Sequence, residues 1–422
     1  MNSGVQVATL PSAPTKLGVL EYGFWAFILI AVGRLGELVP GLAALPIGKI
    51  ALGVTLVVLF KDWKRLPGKT LATKSLARTA IWLAVLTVLL TPISIWKGAS
   101  REFLLEQLPT LLATVTLAYM MCRSWRALRG TLLVLVLSGL MLARAALSGY
   151  SGGRAETDTM YDTNDLAYVL VTVLPLVIAF FINSRTTLKR LVYGSIGAAL
   201  LGALLLTQSR GGFLGLLLVV LLGCFVRIRV PSEKKPNRKF LSLIGVLVLG
   251  TVVWTQLPND ARERFATVLD LGHDYNLDPT NDKSRGQIWS RGTRATLARP
   301  YGYGPWAFGM VDYRYGGRMM APHNSYVEAM VELGVVGFAL FIRMYVLAWR
   351  GLERTRRKLI DGKLVSDEQR EQAVFARTLQ LSLAGNAVAG FFLSMTYATV
   401  LWVTFGICMA LIALANRAAQ ED

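Results

Sequence analysis

Runs of about twenty predominantly apolar residues recur along most of the chain, each bounded by clustered charge or by Pro and Gly, and that length matches the hydrocarbon core of a bilayer. Hydrophobic residues make up 54% of the sequence and the mean hydropathy is +0.48. The expected fold class is therefore an all-α polytopic membrane protein. With the usual window of roughly 20 residues, about twelve transmembrane helices emerge. They lie near 20–39, 42–60, 77–96, 103–122, 128–147, 164–183, 190–208, 212–229, 240–257, 325–349, 373–394 and 397–415. The chain divides into an N-terminal tail (1–19), spans one to nine (20–257), a long loop (258–324), spans ten to twelve (325–415) and a C-terminal tail (416–422).

The formal charge of +19 does not call for nucleic acid. Lys61, Lys64, Arg65, Lys69 and Lys74 form one cluster, and others follow at Arg123/Arg126/Arg129, Arg185/Lys189/Arg190, Arg227–Lys239 and Arg350–Lys358. All fall on alternate connections, as the positive-inside rule requires, so both termini are expected to be cytoplasmic. The opposite side then receives Tyr150–Thr163, the turn Gln208–Gly212 and the loop from Pro258 to Asn324. The first nineteen residues lack a cleavable apolar core and read as a cytoplasmic tail. Cys122, Cys224 and Cys408 have no metal-ligand spacing and suggest no disulfide framework.

A structureless loop as long as 258–324 is unusual, so it is expected to contain short helices. Ser284 to Leu297 places Arg285, Ile288, Trp289, Gly292 and Thr296 on one helical stripe, ended by Pro300. This helix is expected at the outer interface with Trp289 at headgroup level. Ser366 to Gln369 offers a further helix start.

Spans six, eight and ten run inward, so their positive N-terminal ends face outward. Each begins at a polar cluster: Thr163-Asn164-Asp165, Ser209-Arg210-Gly211-Gly212 and Pro322-His323-Asn324-Ser325. Converging, they would build an anion site completed by Arg210 and Arg285. The outer loop is rich in arginine (Arg262, Arg264, Arg285, Arg291, Arg294, Arg299, Arg314 and Arg318) beside a lone Lys283. Guanidinium forks suit bidentate phosphate binding. The loop's acids, such as Asp260, Asp278, Asp282 and Asp312, offer those arginines ordinary ion pairs instead, and Arg291, Arg294 and Arg299 rival Arg285.

The Thr-Asn-Asp-Leu-Ala start of span six, Ser-Arg-Gly-Gly at span eight, Arg285 with Trp289, Pro300-Tyr-Gly-Tyr-Gly, and His323-Asn-Ser-Tyr with Glu332-Leu-Gly resemble, in order and spacing, the O-antigen ligase and polymerase superfamily. The likeness covers the C-terminal two thirds. It implies a GT-C-like fold in the bacterial inner membrane with the long loop and active site in the periplasm. It also implies an inverting glycosyltransferase that moves a glycan from undecaprenyl diphosphate to a sugar hydroxyl of lipid A core, without a cofactor or metal. A polymerase extending O-antigen or exopolysaccharide is the near alternative, and a transporter of a lipid-linked sugar or small anion the distant one. The polar clusters sit at span ends rather than at the midplane, against the transporter.

By the resemblance, Arg210, Arg285 and His323 match the family's functional residues. Arg210, Arg285, Gly211 and Gly212 would hold the diphosphate. Neutral His323 would accept the acceptor's proton, or only bind. Asn324, Tyr326, Asp165, Trp289 and Glu332 are further candidates near substrate. Competing structural readings are capping for Asn164, Asp165 and His323, interface anchoring for Trp289, Tyr303 and Trp306, and an arginine partner for Glu332. Asp158 and Asp162 are candidates to orient an arginine or acceptor sugar, and His273 reads as a loop residue.

Overall fold

The structure is a computed structural model that describes residues 18–35, 47–61, 75–150, 152–156, 162–226, 250–251, 254–255, 257–266, 278, 280–360 and 365–421. Most of the ninth expected span, the basic cluster after Val226, Asp158 and His273 lie outside the described residues. Among the described residues the chain is helical throughout, with no strand.

The bundle begins with α1 (Val19–Ala31), α2 (Ile47–Lys61), α3 (Ser75–Leu90) and α4 (Lys97–Met121, with a π-helical turn at Phe103–Gln107). It continues with α5 (Trp125–Ser148), α6 (Thr163–Asn183), α7 (Thr187–Leu206) and α8 (Arg210–Phe225). Three short helices, α9 (Asn259–Ala266), α10 (Arg285–Ala298) and α11 (Phe308–Arg314), form a cap over one end. The chain closes with α12 (Ser325–Ile360), α13 (Asp367–Ala389), a 3₁₀ turn (Gly390–Phe392) and α14 (Thr399–Glu421). Six of these helices are long and apolar enough to cross a membrane, so the protein is a polytopic membrane protein.

Helix starts follow local chemistry. Ser124, Asp162, Thr186, Ser209, Ser284 and Ser366 each accept a first-turn N–H with the side chain, satisfying donors that would otherwise be orphaned. Helix α13 is too polar to count among the six, yet nearly all of it from Gln372 to Asn386 is buried against α6, α8 and α12. Its polar groups are matched inside the bundle: Ser382 Oγ donates to Thr172 O (2.6 Å) and Gln380 Nε2 to Trp349 O (3.1 Å). That pairing removes the cost of placing amides among apolar side chains.

Among the described residues, basic side chains gather at the end opposite the cap. Arg129 pairs with Glu371 (2.8 Å), and Glu353 gathers Arg356 (3.5 Å), Arg357 (3.0 Å) and Arg377 (3.1 Å).

One break positions the cap. Gly334 has φ 71° and ψ −177°, a conformation open essentially to glycine, and it interrupts α12 nine residues after Ser325. The interruption frees backbone groups that the loop after α10 satisfies: Tyr303 N donates to Val331 O (3.0 Å), Gly304 N to Glu332 O (2.9 Å) and Val335 N to Pro300 O (2.9 Å). The approach is so close that a Cβ on Gly302 would lie 2.7 Å from Glu332 O. The Pro-Tyr-Gly-Tyr-Gly and Glu-Leu-Gly sequences thus lock into each other and fix the short helix 325–333 against the cap.

Candidate functional site

The starts of α6, α8 and α12 do meet. The linker at 390–396 is their common floor: the Cβ position of Gly211 lies 2.8 Å from Phe392 Cβ, and Ser325 Oγ donates to Leu393 O (2.6 Å) while accepting from Met395 N (2.8 Å). Helices α6 and α8 touch directly, with Gly212 against Ala167 at 2.5 Å from the Cβ position. Both glycines are buried, and the room their missing side chains leave is filled by Phe392 and Ala167. Their evident use is to let helices approach, which differs from the diphosphate contact expected of them.

Arg285 opens α10 under the Ser284 cap, half-buried, and its charge bears on His323. One turn on, Trp289 donates its indole N–H to Pro322 O (2.7 Å) and sets its ring on Phe391 (5.3 Å, 73°). Rather than only anchoring an interface, Trp289 fastens α10 to the segment carrying His323.

Two of the three rival arginines, Arg291 and Arg299, are engaged elsewhere. Arg291 is buried and its Nε lies 2.6 Å from Asp312 Oδ1. Arg299 donates to Ile93 O (2.7 Å) and lies over the rings of Tyr301 and Tyr303.

His323 sits in the left-handed region, φ 45°, immediately before α12. Its neighbour Asn324 does the capping, accepting from Tyr326 N (2.9 Å) and Val327 N (3.1 Å), which commits the carboxamide oxygen to the helix rather than to a substrate. Burial, aided by the Arg285 charge and only partly opposed by Asp162, holds the imidazole below its ordinary value of 6.5. The ring is therefore neutral near pH 7 and able to accept a proton.

The remaining candidates divide. Tyr326 donates its hydroxyl to Ala387 O (2.6 Å) and packs between Phe341 and Phe391, a structural use. Asp162, not Asn164 or Asp165, caps α6, accepting from Asn164 N (2.7 Å) and Asp165 N (2.8 Å). Asp165 lies within electrostatic reach of Asp162 and Arg34. Among the described residues Glu332 has no arginine partner: Oε1 accepts from Phe308 N (3.2 Å) and Oε2 from Tyr397 Oη (2.9 Å), joining the cap to the residues just before α14.

Three contributors escaped the sequence reading. Glu328, buried, accepts from Thr396 N (3.3 Å). Arg34, three residues beyond α1, has φ 53°, and its charge bears on Asp165. Arg154 reaches α6 and the turn before Arg210, donating to Asn164 Oδ1 (3.2 Å) and Thr207 O (3.0 Å). Charged residues inside apolar spans were the available signal for Arg34 and Glu328.

Fold and site together define a polytopic membrane protein with arginine and histidine side chains where several helix N-termini gather, an arrangement suited to an anionic ligand. Residues 195–342 match the family model described as O-antigen ligase, which supports the chain's place in the O-antigen ligase-like superfamily and a membrane enzyme of ligase or polymerase type. The matched segment contains Arg210, Arg285, His323 and Glu332. No curated protein matches the chain.

Proposed function

We propose that the protein is an inverting, metal-independent glycosyltransferase of the bacterial inner membrane. It moves a glycan from undecaprenyl diphosphate to a sugar hydroxyl at the periplasmic face, as an O-antigen ligase acting on lipid A core. On this reading the chain crosses the membrane about twelve times in a GT-C-like arrangement, at the usual span of roughly 20 residues, with both termini cytoplasmic. The observation that carries the proposal is the linkage of Arg285 to His323: α10 is tied through Trp289 to the histidine segment, and Phe391 and Phe392 continue that contact to Gly211 beside Arg210.

In the reaction the acceptor oxygen attacks the anomeric carbon opposite the diphosphate. The carbon–oxygen bond to phosphate breaks and its electron pair stays on the diphosphate, which gains a negative charge. Arg210, Arg285 and the α8 N-terminus stabilise that charge more as it develops than before, which lowers the barrier. Neutral His323 takes the acceptor's proton and afterwards releases it to solvent.

The test is incubation of purified protein in nanodiscs with a synthetic undecaprenyl-diphosphate glycan and either truncated lipopolysaccharide or a second lipid-linked repeat. Glycosylated lipopolysaccharide supports the ligase. A ladder on the second acceptor reassigns the chain as a polymerase, and no product on either defeats the proposal.

A further inference from the structure

The turn that delivers Arg210 is held by residues outside the helices it joins. Between Leu206 and Arg210 the backbone adopts a left-handed Gln208, φ 51°, a costly conformation for a residue with a Cβ. Strain of that kind persists only where the surroundings over-determine it. Here the segment Gly152–Glu156 does so with three bonds: Ala155 N donates to Leu206 O (2.8 Å), Arg154 Nε to Thr207 O (3.0 Å), and Gln208 Nε2 back to Gly153 O (2.7 Å).

Two left-handed glycines, Gly152 at φ 108° and Gly153 at φ 79°, let that segment fold onto the turn. From the other side Arg264 Nε donates to Gln208 O (3.1 Å), while Phe265 stacks on Phe213 of α8 at 4.4 Å. Two guanidiniums therefore grip the consecutive carbonyls of Thr207 and Gln208. The same Arg154 reaches Asn164 at the start of α6 with Nη2 (3.2 Å), so one planar fork spans two of the helix starts that frame the site.

We propose that Arg154 is a positioning residue for Arg210: with Arg264 supporting the far side, it holds the Thr207–Ser209 turn as a preformed cradle for the donor diphosphate. This rests on the transferase reading of the site. A rigid turn lets Arg210 meet the developing charge without being ordered first, which is where preorganised donors act.

The test uses full-length protein in nanodiscs carrying Arg154→Gln, and Arg154→Lys as a variant that keeps the charge but loses the fork. The first readout is amide hydrogen exchange of peptides covering 206–212, which needs no activity. The second is single-turnover transfer from a synthetic polyprenyl-diphosphate glycan, measured in wild-type and Arg210→Lys backgrounds. Residues acting as one unit are non-additive, so Arg154→Gln is expected to speed exchange in 206–212 and to slow transfer roughly tenfold in the wild-type background, but less than about twofold beside Arg210→Lys. Unchanged exchange in both variants, or equal slowing in both backgrounds, overturns the proposal. If the wild-type chain transfers nothing from this donor, the functional reading falls, and the exchange experiment still decides whether Arg154 holds the turn.

Discussion

Removing the Asp312 carboxylate separates structural arginines from reactive ones. Arg291 and Asp312 form a pair with side chains 5% and 0% exposed, and the second carboxylate oxygen accepts from Arg318 N (3.0 Å) and Met320 N (3.1 Å). Truncation to Ala leaves a buried guanidinium without its counter-charge, a loss of about 3–5 kcal/mol. The two orphaned amides belong to the segment running into His323.

Expressed as an opening equilibrium, that loss is on the order of 10²- to 10⁴-fold. Hydrogen exchange of α10 and α11 peptides in nanodiscs reads it directly: Asp312→Ala should accelerate exchange by this factor, up to the unprotected rate, while α13 peptides stay unchanged. Transfer should fall with it, because the cap carries Arg285. Arg285→Met should do the reverse, abolishing transfer and leaving exchange of the cap within about twofold, the behaviour of surface or site changes that break no buried pair. Near-normal exchange in Asp312→Ala would refute the argument that Arg291 is structural, and with it the reason for preferring Arg285.

Four further outcomes follow from particular contacts. Because burial and the Arg285 charge depress His323, transfer should persist below pH 6.5 and decline only as the ring protonates; Arg285→Gln should move that acid limb upward, which a pH–rate profile reads. The same depression makes His323 contribute stability that is complete above 6.5 and lost as pH falls through the folded value, so His323→Gln should flatten the acid side of a melting-temperature profile. Gly334→Ala places a Cβ 2.5 Å from Pro300 O at φ 71°, and should cost at least about 1–3 kcal/mol, visible as a lower melting temperature with faster exchange at 300–304. Arg210→Lys preserves charge but not the fork, and a kcat reduced by about 10²-fold with normal melting is expected.

The six helices long and apolar enough to cross a membrane were legible because hydropathy over roughly 20 residues is a property of each segment alone. The helix start at Ser366 was legible for the same reason: the chemistry is local. What the sequence could not separate were residues whose meaning depends on distant partners. Arg291 and Arg285 differ by six positions and look alike until Asp312, far along the loop, claims one of them. Glu332 called for an arginine by electrostatics, whereas the fold met it with a backbone N–H and a tyrosine hydroxyl. The linker at 390–396 has no charge to draw notice, yet it is the surface on which Gly211, Ser325 and Trp289 converge. Gly211 and Gly212 illustrate the opposite error, since glycines that admit a ligand and glycines that admit a neighbouring helix are written identically.

The proposed chemistry requires Arg210, Arg285 and His323 to act on one diphosphate-linked donor. Single-turnover transfer by the wild type, each single variant (Arg210→Lys, Arg285→Lys, His323→Ala) and the triple variant measures this most directly. Residues that work as a unit should each cost nearly as much alone as all three together. Losses that simply multiply, or a wild-type rate in any one of the three variants, would contradict it.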